Sequence, residues 1–303
     1  MATSNWSRRG FLARGAAATA GLAAVGGRAA AARREFKISI AGWSLHREVF
    51  GGQIKTIDAF RITREEFNLD GFELVNTMLE VPTWNHIANL KREADKHQVQ
   101  IPLIMVDGEG NLGGAAVEER ERAVRYHQKW IYAAADLGCH SVRVNWRGEE
   151  RGVERDAEGA ERFIARSVAP FAELAELGAR HGLNVIIENH GGPSSYPDLL
   201  RRLFQMVDRP NFGALPDFGN FPAEVDRYEA VDKMMPYAKA LSAKCYDFGD
   251  DGLETKIDFE RMLQIAVDKH GYHGFIGIEY EGNRLSERDG IRAARDLLIR
   301  LRG

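Results

Sequence analysis

Four side chains late in the chain stand at intervals that would let them share one task. Glu188, Asp217, Lys244 and Glu279 are separated by 29, 27 and 35 residues. Each interval is about the length of one strand-plus-helix repeat. Each residue ends a short apolar run, most clearly in Val185-Ile186-Ile187-Glu188. A carboxylate at the end of an apolar strand is costly unless it is solvated, paired or bound to metal. Three brought together repel one another, and a divalent cation would relieve that repulsion. Oxygen ligands suit Mg2+ or Mn2+, so Glu188, Asp217 and Glu279 form a candidate metal set. The plainer alternative is a ring of salt bridges with Arg143 and Lys244.

Other polar residues fall at the ends of the remaining apolar runs. Glu73, Asp107, Arg143 and Asn145 belong to the second, third and fourth, and Glu281 follows the last. Arg143 is a candidate for a substrate oxyanion, and Glu73 for orienting substrate or a neighbouring base. His190 opens the turn before Gly191-Gly192. It either bonds that turn or touches a substrate hydroxyl and shuttles a proton. Trp43 and His46 follow the first run and offer a wall on which a sugar could stack, although a tryptophan there also serves as packing.

The elements that must position these groups alternate. Apolar runs predict strands over 37–41, 71–74, 101–106, 141–145, 184–188, 212–217, 240–244 and 275–279. Several are apolar without interruption, as expected when both faces are covered. Helical spacing marks 56–67, 90–97, 117–137, 160–181, 196–207, 259–270 and 287–301. Gly182 closes the fourth of these, as a helix C-cap does. Strand and helix alternating about eight times predict a single-domain α/β (β/α)8 TIM barrel, with an open doubly wound sheet as the alternative. No Gly-x-Gly-x-x-Gly follows the first strand, which argues against a dinucleotide site. In a barrel, side chains at the carboxyl ends of the strands face the active site.

Residues 1–32 read differently. Ser7-Arg8-Arg9-Gly10-Phe11-Leu12 matches a twin-arginine export signal, and an alanine- and glycine-rich tract runs from Gly15 to Ala32. Ala29-Ala30-Ala31 offers small residues for a signal peptidase. This predicts a signal segment over 1–32, a barrel over 33–303, the twin-arginine export machinery as a partner, and a periplasmic address. That route generally carries folded proteins, which suits an enzyme loaded with metal beforehand.

The formal net charge is −3; without residues 1–32, 37 basic residues face 44 acidic ones. An acidic balance argues against a nucleic-acid partner held by a basic surface. No stretch of the remaining chain has the ~20 apolar residues a membrane span needs. Cys139 and Cys245 each lie in or beside an apolar run and read as two buried thiols, not a disulfide framework.

With these pieces in place, the sequence from Lys37 to Leu301 resembles the xylose isomerase-like barrel family, also described as sugar phosphate isomerase/epimerase-like. The resemblance is carried by Val185-Ile186-Ile187-Glu188-Asn189-His190-Gly191-Gly192, Pro216-Asp217-Phe218-Gly219-Asn220, Gly277-Ile278-Glu279-Tyr280-Glu281-Gly282 and Asp70-Gly71-Phe72-Glu73-Leu74. It implies a TIM barrel, a small-molecule sugar substrate and often a homo-oligomer. In the family's ketose epimerases a metal is held by Glu, Asp, His and Glu from the last four strands. The resemblance carries these to Glu188, Asp217 and Glu279, whereas Lys244 falls where the histidine is expected. A protonated lysine is not a ligand. Lys244 then either supplies the cation's charge itself or sits beside a three-carboxylate metal site as an acid or base.

The chemistry implied is removal of a proton next to a carbonyl, with Glu188 and Glu279 as base and acid, and with the metal or Lys244 stabilising the oxyanion. His190 would assist, and Trp43, His46, Glu73, Asp107, Arg143, Asn145 and Glu281 would bind substrate. An exported protein also fits a lyase or hydratase acting on an oxidised, 3-oxo sugar or glycoside. A third reading is a non-catalytic periplasmic sugar-binding barrel. A nuclease is disfavoured by the acidic balance and by Asn220 and Lys244, where a multi-metal site would want histidines.

Overall fold

The structure, a computed structural model, describes residues 33–148, 152 and 156–303. The proposed signal segment and its arginine pair lie outside the described residues.

Eight strands form the expected parallel sheet: β1 (Lys37–Ala41), β2 (Gly71–Val75), β3 (Leu103–Val106), β4 (Ser141–Val144), β5 (Asn184–Glu188), β6 (Phe212–Leu215), β7 (Leu241–Cys245) and β8 (Phe275–Tyr280). Their order is β6-β5-β4-β3-β2-β1-β8-β7. The ends of this sheet approach each other through isolated bridges, Ala214 with Ala238 and Asp217 with Ser242. Across that seam Phe218 N donates to Ser242 O and Ser242 N to Pro216 O, each at 3.0 Å. The result is a nearly closed barrel, not the open sheet. Asp217 therefore lies past the end of β6, on the seam itself.

A helix follows each strand: α1 (Ala59–Glu65), α2 (Trp84–Lys96), α3 (Val117–Leu137), α4 (Ala157–Arg180), α5 (Pro197–Val207), α6 (Arg227–Met234), α7 (Phe259–Leu263) and α8 (Glu287–Arg302). Side chains start several of them by accepting otherwise orphaned backbone N–H groups. Asp156 caps α4 through the N–H groups of Glu158 and Gly159, Asp226 caps α6 through Tyr228 and Glu229, and Ser286 caps α8 through Asp289. Helix α3 stops at Gly138, whose φ of 76° is the left-handed conformation that glycine adopts cheaply. Helix α6 is an addition to the sequence expectation. With eight residues it is too short for apolar periodicity to stand out.

Two apolar layers hold the barrel. Between strands and helices lies the large core, with Leu74, Val142, Val185, Leu203, Phe171 and Leu298 among its buried members. A smaller cluster fills the inside of the barrel, where Ala41, Val75, Leu103, Met105, Ile186 and Leu215 meet. Burial of each such large aliphatic side chain stabilises the fold by roughly 1.5–3 kcal/mol. This interior cluster forms part of the floor on which the polar ends of the strands rest. Both cysteines are buried and unpaired, as expected. Among the described residues no helix is long and apolar enough to cross a membrane.

Candidate active site

The register of the last strands brings the late carboxylates together. Lys244 on β7 pairs with Glu279 on β8, and Asp217 bridges to Ser242, two residues before Lys244 on the same face of β7. Glu188 ends β5 beside Leu215 of β6. Glu188, Asp217 and Glu279 each offer an oxygen within 4.8 Å of the others, and all three are buried.

Their hydrogen bonds show how the group is held. Asp217 Oδ1 accepts the backbone N–H groups of Gly219 and Asn220 at 2.8 and 2.7 Å. Ser242 Oγ lies 2.6 Å from Asp217 Oδ2 and 2.9 Å from Glu279 Oε2. One hydroxyl carries one proton, so it cannot donate to both carboxylates. A proton on Asp217 or a bound cation completes the set. Burial pushes the Asp217 carboxyl far above the usual range, against the pull of Lys244. Burial also acts on Glu279, but the Lys244 ammonium, the Ser242 hydroxyl and Arg143 outweigh it and hold Glu279 below the ordinary value. Of the two carboxylates, Asp217 is thus the one that holds a proton more readily, and Glu279 the one that stays ionised.

Arg143 binds the other side of the group. Its guanidinium lies 2.7 Å from Asp107 Oδ1 and 3.0 Å from Glu188 Oε2. The second contact is an ion pair by distance only, since neither Arg143 Nε nor Glu188 Oε2 has a hydrogen bond. Glu188 Oε1 accepts from Asn220 Nδ2 at 3.1 Å. Burial, only partly offset by Arg143, brings the Glu188 pKa to about 7.

Lys244 is 1% exposed, with Nζ 3.5 Å from Glu279 Oε2 and 3.4 Å from Glu281 Oε1. Burial pulls its pKa down, but Glu279, Asp217, Glu188 and Glu281 together raise it above the ordinary lysine value. The surrounding carboxylates thus favour the charged ammonium. Its stem passes where a side chain on Gly219 would stand, since a Cβ there would lie 2.9 Å from Lys244 Cγ.

The cavity above the cluster measures about 170 Å³ and is lined by Trp43, Val75, Met105, Asp107, Arg143, His190, Glu279 and Glu281. Asn145 links two of these. Its Nδ2 donates to Asp107 Oδ1 at 2.6 Å, and its Oδ1 lies 3.0 Å from His190 Nδ1. Burial and the Arg143 charge lower the His190 pKa to about 4, so the ring is neutral at pH 7.

Two expected substrate contacts stand elsewhere. His46 stacks flat against Trp43 at 4.9 Å between ring centres and contacts Glu287 at 3.3 Å, so it backs the wall without facing the cavity. Glu73 is buried inside the barrel, 2.6 Å from Ser39 Oγ and against Gly277, and is not among the cavity's walls. Glu188 and Lys244 lie beneath the cavity and do not line it. Conversely, Ser242 was not expected. Its only sequence signal is the two-residue spacing to Lys244, which places both on one face of β7.

The three carboxylates fit a divalent cation on two observations. Their oxygens gather around one point, and Glu188 Oε2 is buried without a hydrogen bond. Oxygen ligands of Mg2+ sit about 2.0–2.1 Å from the ion, so opposite ligands are about 4 Å apart, inside the 4.8 Å within which these oxygens lie. The cluster can therefore bind a metal, with Lys244 as an adjacent charge.

No curated protein matches the chain in sequence. Solved structures of the same fold include a D-tagatose 3-epimerase-like protein, with 18% identity and a TM-score of 0.70 over 88% of this chain and 97% of the other. The 3-keto-D-glucoside 4-epimerase of E. coli shows 17% identity and a TM-score of 0.66 over 88% of this chain and 99% of its own. The IOLI protein, whose structure carries a zinc atom, shows 14% identity and a TM-score of 0.69 over 88% and 98%. At these identities the likeness establishes the fold alone. The sequence itself matches the family described as xylose isomerase-like TIM barrel over residues 64–301, and the chain belongs to that family.

Proposed function

We propose that the protein is a sugar isomerase or epimerase that removes a proton from a carbon next to a carbonyl. The observation that carries this reading is the wall of the small cavity, where an ionised Glu279, a neutral His190 and the Arg143 guanidinium meet. Glu279 Oε2 is engaged by Ser242 and Lys244, which leaves Oε1 to take a proton from substrate carbon. The electron pair released moves onto the carbonyl oxygen and gives an enediolate. Arg143 is the fixed cation on the cavity wall that meets this oxyanion, and such preorganised charge is usually the largest contribution to catalysis of this type. His190 Nε2 carries a hydroxyl proton between the two oxygens. Return of the carbon-bound proton from Glu279 to the neighbouring carbon yields an isomer; protonation of the original carbon from the opposite face by water, with Glu279 giving up its proton to solvent, yields an epimer. Glu188, with a pKa of about 7, lies beneath the cavity with an oxygen within 4.8 Å of one on Glu279, where it can relay a proton to or from that carboxylate at neutral pH.

A divalent cation held by Glu188, Asp217 and Glu279, Mn2+ or Mg2+ from the all-oxygen donor set, would supply a Lewis acid for the substrate oxygens. Two proteins of this fold with epimerase names, one of them for a 3-keto-D-glucoside, support the reading. The Ser7–Leu12 segment supports export of the folded barrel to the periplasm, which fractionation of cells expressing the full chain tests.

Product analysis by NMR after incubation with free ketoses and with 3-oxo-glycosides tests the activity. Formation of an epimer or isomer supports it. Release of an aglycone with an unsaturated sugar replaces it with a lyase. If nothing turns over and the Glu188→Gln and Glu279→Gln variants keep full ligand affinity, the protein is a sugar-binding barrel.

A further inference from the structure

The acidic cavity does not end at its own walls. Asp107 also lines a second, larger cavity of about 540 Å³ on the same, carboxyl-end face of the barrel. This groove lies between the start of α2 and the side of α3, where Pro82, Trp84 and Ile87 face Lys129 and Trp130. One boundary residue therefore separates a polar pocket of about 170 Å³ from an aromatic groove three times its size.

The groove is built, not incidental. Asn76 fixes its boundary by bonding the Asp107 backbone twice: Nδ2 donates to Asp107 O at 2.9 Å, and Oδ1 accepts from Asp107 N at 2.8 Å. Glu109 fixes the far side, where it accepts from Trp130 Nε1 at 2.7 Å and pairs with Lys129 at 2.9 Å. The Trp130 ring is thus locked as part of the groove's lining. Across from it, Trp84 begins α2 behind the Thr83 cap and is 55% exposed. At the boundary, Asp107 Oδ1 is taken by Arg143 and Asn145, and Oδ2 has no hydrogen bond among the described residues. It is an acceptor placed to bind a hydroxyl at the junction of the two cavities.

We infer that the substrate is a glycoside whose reacting ring carries a ketone, and not a free monosaccharide, with that ring in the acidic cavity and a second ring, glycosyl or aryl, in the groove against Trp84. The inference rests on the proposed use of the acidic cavity as the seat of the reacting sugar. An aryl ring on an aromatic side chain gains stacking beyond the area it buries, and a sugar ring gains that burial. The groove thus favours a ring-bearing substituent over a methyl group by about tenfold or more. Binding energy from this remote ring also positions the sugar against Glu279.

The test is a calorimetric titration of the purified protein with a matched panel. It contains methyl and phenyl glycosides of glucose, galactose, mannose and xylose, in both anomers and with their 3-oxo forms. The inference expects at least one phenyl glycoside to bind tenfold or more tightly than its methyl partner. In Trp84→Ala that advantage collapses, while the methyl glycoside's affinity is unchanged and Trp84→Phe restores most of the difference. Trp84 is half in solvent, so the alanine variant keeps its fold. No phenyl preference anywhere in the panel, or a preference that survives Trp84→Ala, overturns the inference. Turnover of free ketoses with no phenyl preference would sink the groove while leaving the proposed reaction intact. A Trp84-dependent preference with no turnover would do the reverse.

Discussion

His190 Nδ1 lies 3.0 Å from Asn145 Oδ1, and this is the shorter of its two side-chain contacts. Asn145 Nδ2 is committed to Asp107, so the amide turns its oxygen toward His190. The 3.0 Å contact with the amide oxygen favours the proton on Nδ1 and the lone pair on Nε2, against a longer 3.3 Å approach of Arg147 Nη2 to the same nitrogen. The chain Asp107–Asn145–His190 is thus an orienting device for a neutral histidine on the cavity wall. His190→Gln is expected to lower kcat by about 10²–10⁴-fold with little change in melting temperature. Asn145→Ala should lower it less, because the ring remains but loses its fixed tautomer. Steady-state kinetics beside thermal melts separate the two effects.

Arg143 sits between Asp107 and Glu188 and is 3% exposed. Arg143→Met strands two carboxylates in the barrel and is expected to destabilise the fold by about 3–5 kcal/mol. The double variant with Glu188→Gln should recover part of that loss. Denaturant unfolding of the two single variants and the double variant measures the coupling; simple additivity would show that the pair is not energetically linked.

Glu73 provides a pH signature of stability. Burial, with Ser39 as its one hydrogen-bond donor, raises its pKa from 4.5 to about 8. A carboxyl with a raised folded-state pKa binds its proton more tightly in the native state. Stability is therefore lost as pH climbs from about 4.5 to about 8, and the loss levels off above that range. Glu73→Gln removes this slope, so the variant should gain on the parent by a few kcal/mol between pH 5 and pH 8. Urea midpoints at the two values check it, and parallel pH profiles for parent and variant would contradict it.

The fold was legible where the chain is repetitive. The uninterrupted apolar run before Glu188 and the long periodic segment 117–137 became β5 and α3 with the expected bounds. Helix α6 was not legible, because only Ala230, Val231 and Met234 are buried in its eight residues. Most of the candidate site was readable for one reason: strand ends in a barrel share one face, so repeat-length spacing converts directly into convergence. What spacing could not give was depth. Glu73, Glu188 and Lys244 were expected beside substrate yet lie below the cavity floor, and His46 lies behind Trp43. Depth depends on small residues that let neighbours sink inward, such as Gly277 beneath Glu73, where a Cβ would lie 2.5 Å from its carboxylate.

The thiols should behave as core residues. Burial raises the pKa of both Cys139 and Cys245 above the usual thiol value. Neither is expected to react with a thiol reagent at pH 8 in the native protein, and both should react once it is unfolded. Fast labelling of the folded protein would contradict the packing described here.

For the metal set, elemental analysis of protein folded in the presence of Mn2+ should find one divalent ion per chain. Asp217→Ala should lose it, and the parent's melting temperature should rise with added ion by mass action while the variant's does not. Absence of ion from the parent would leave Arg143 and Lys244 to balance the buried carboxylates.

The most direct measurement is hydrogen exchange from substrate carbon. With keto sugars and 3-oxo-glycosides in D2O, NMR should show the C–H next to the carbonyl replaced by deuterium in the presence of the parent protein. Glu279→Gln should reduce that exchange to the uncatalysed rate. Exchange that persists unchanged in the variant, or none with any keto sugar, would contradict the assignment of Glu279 as the group that takes the proton.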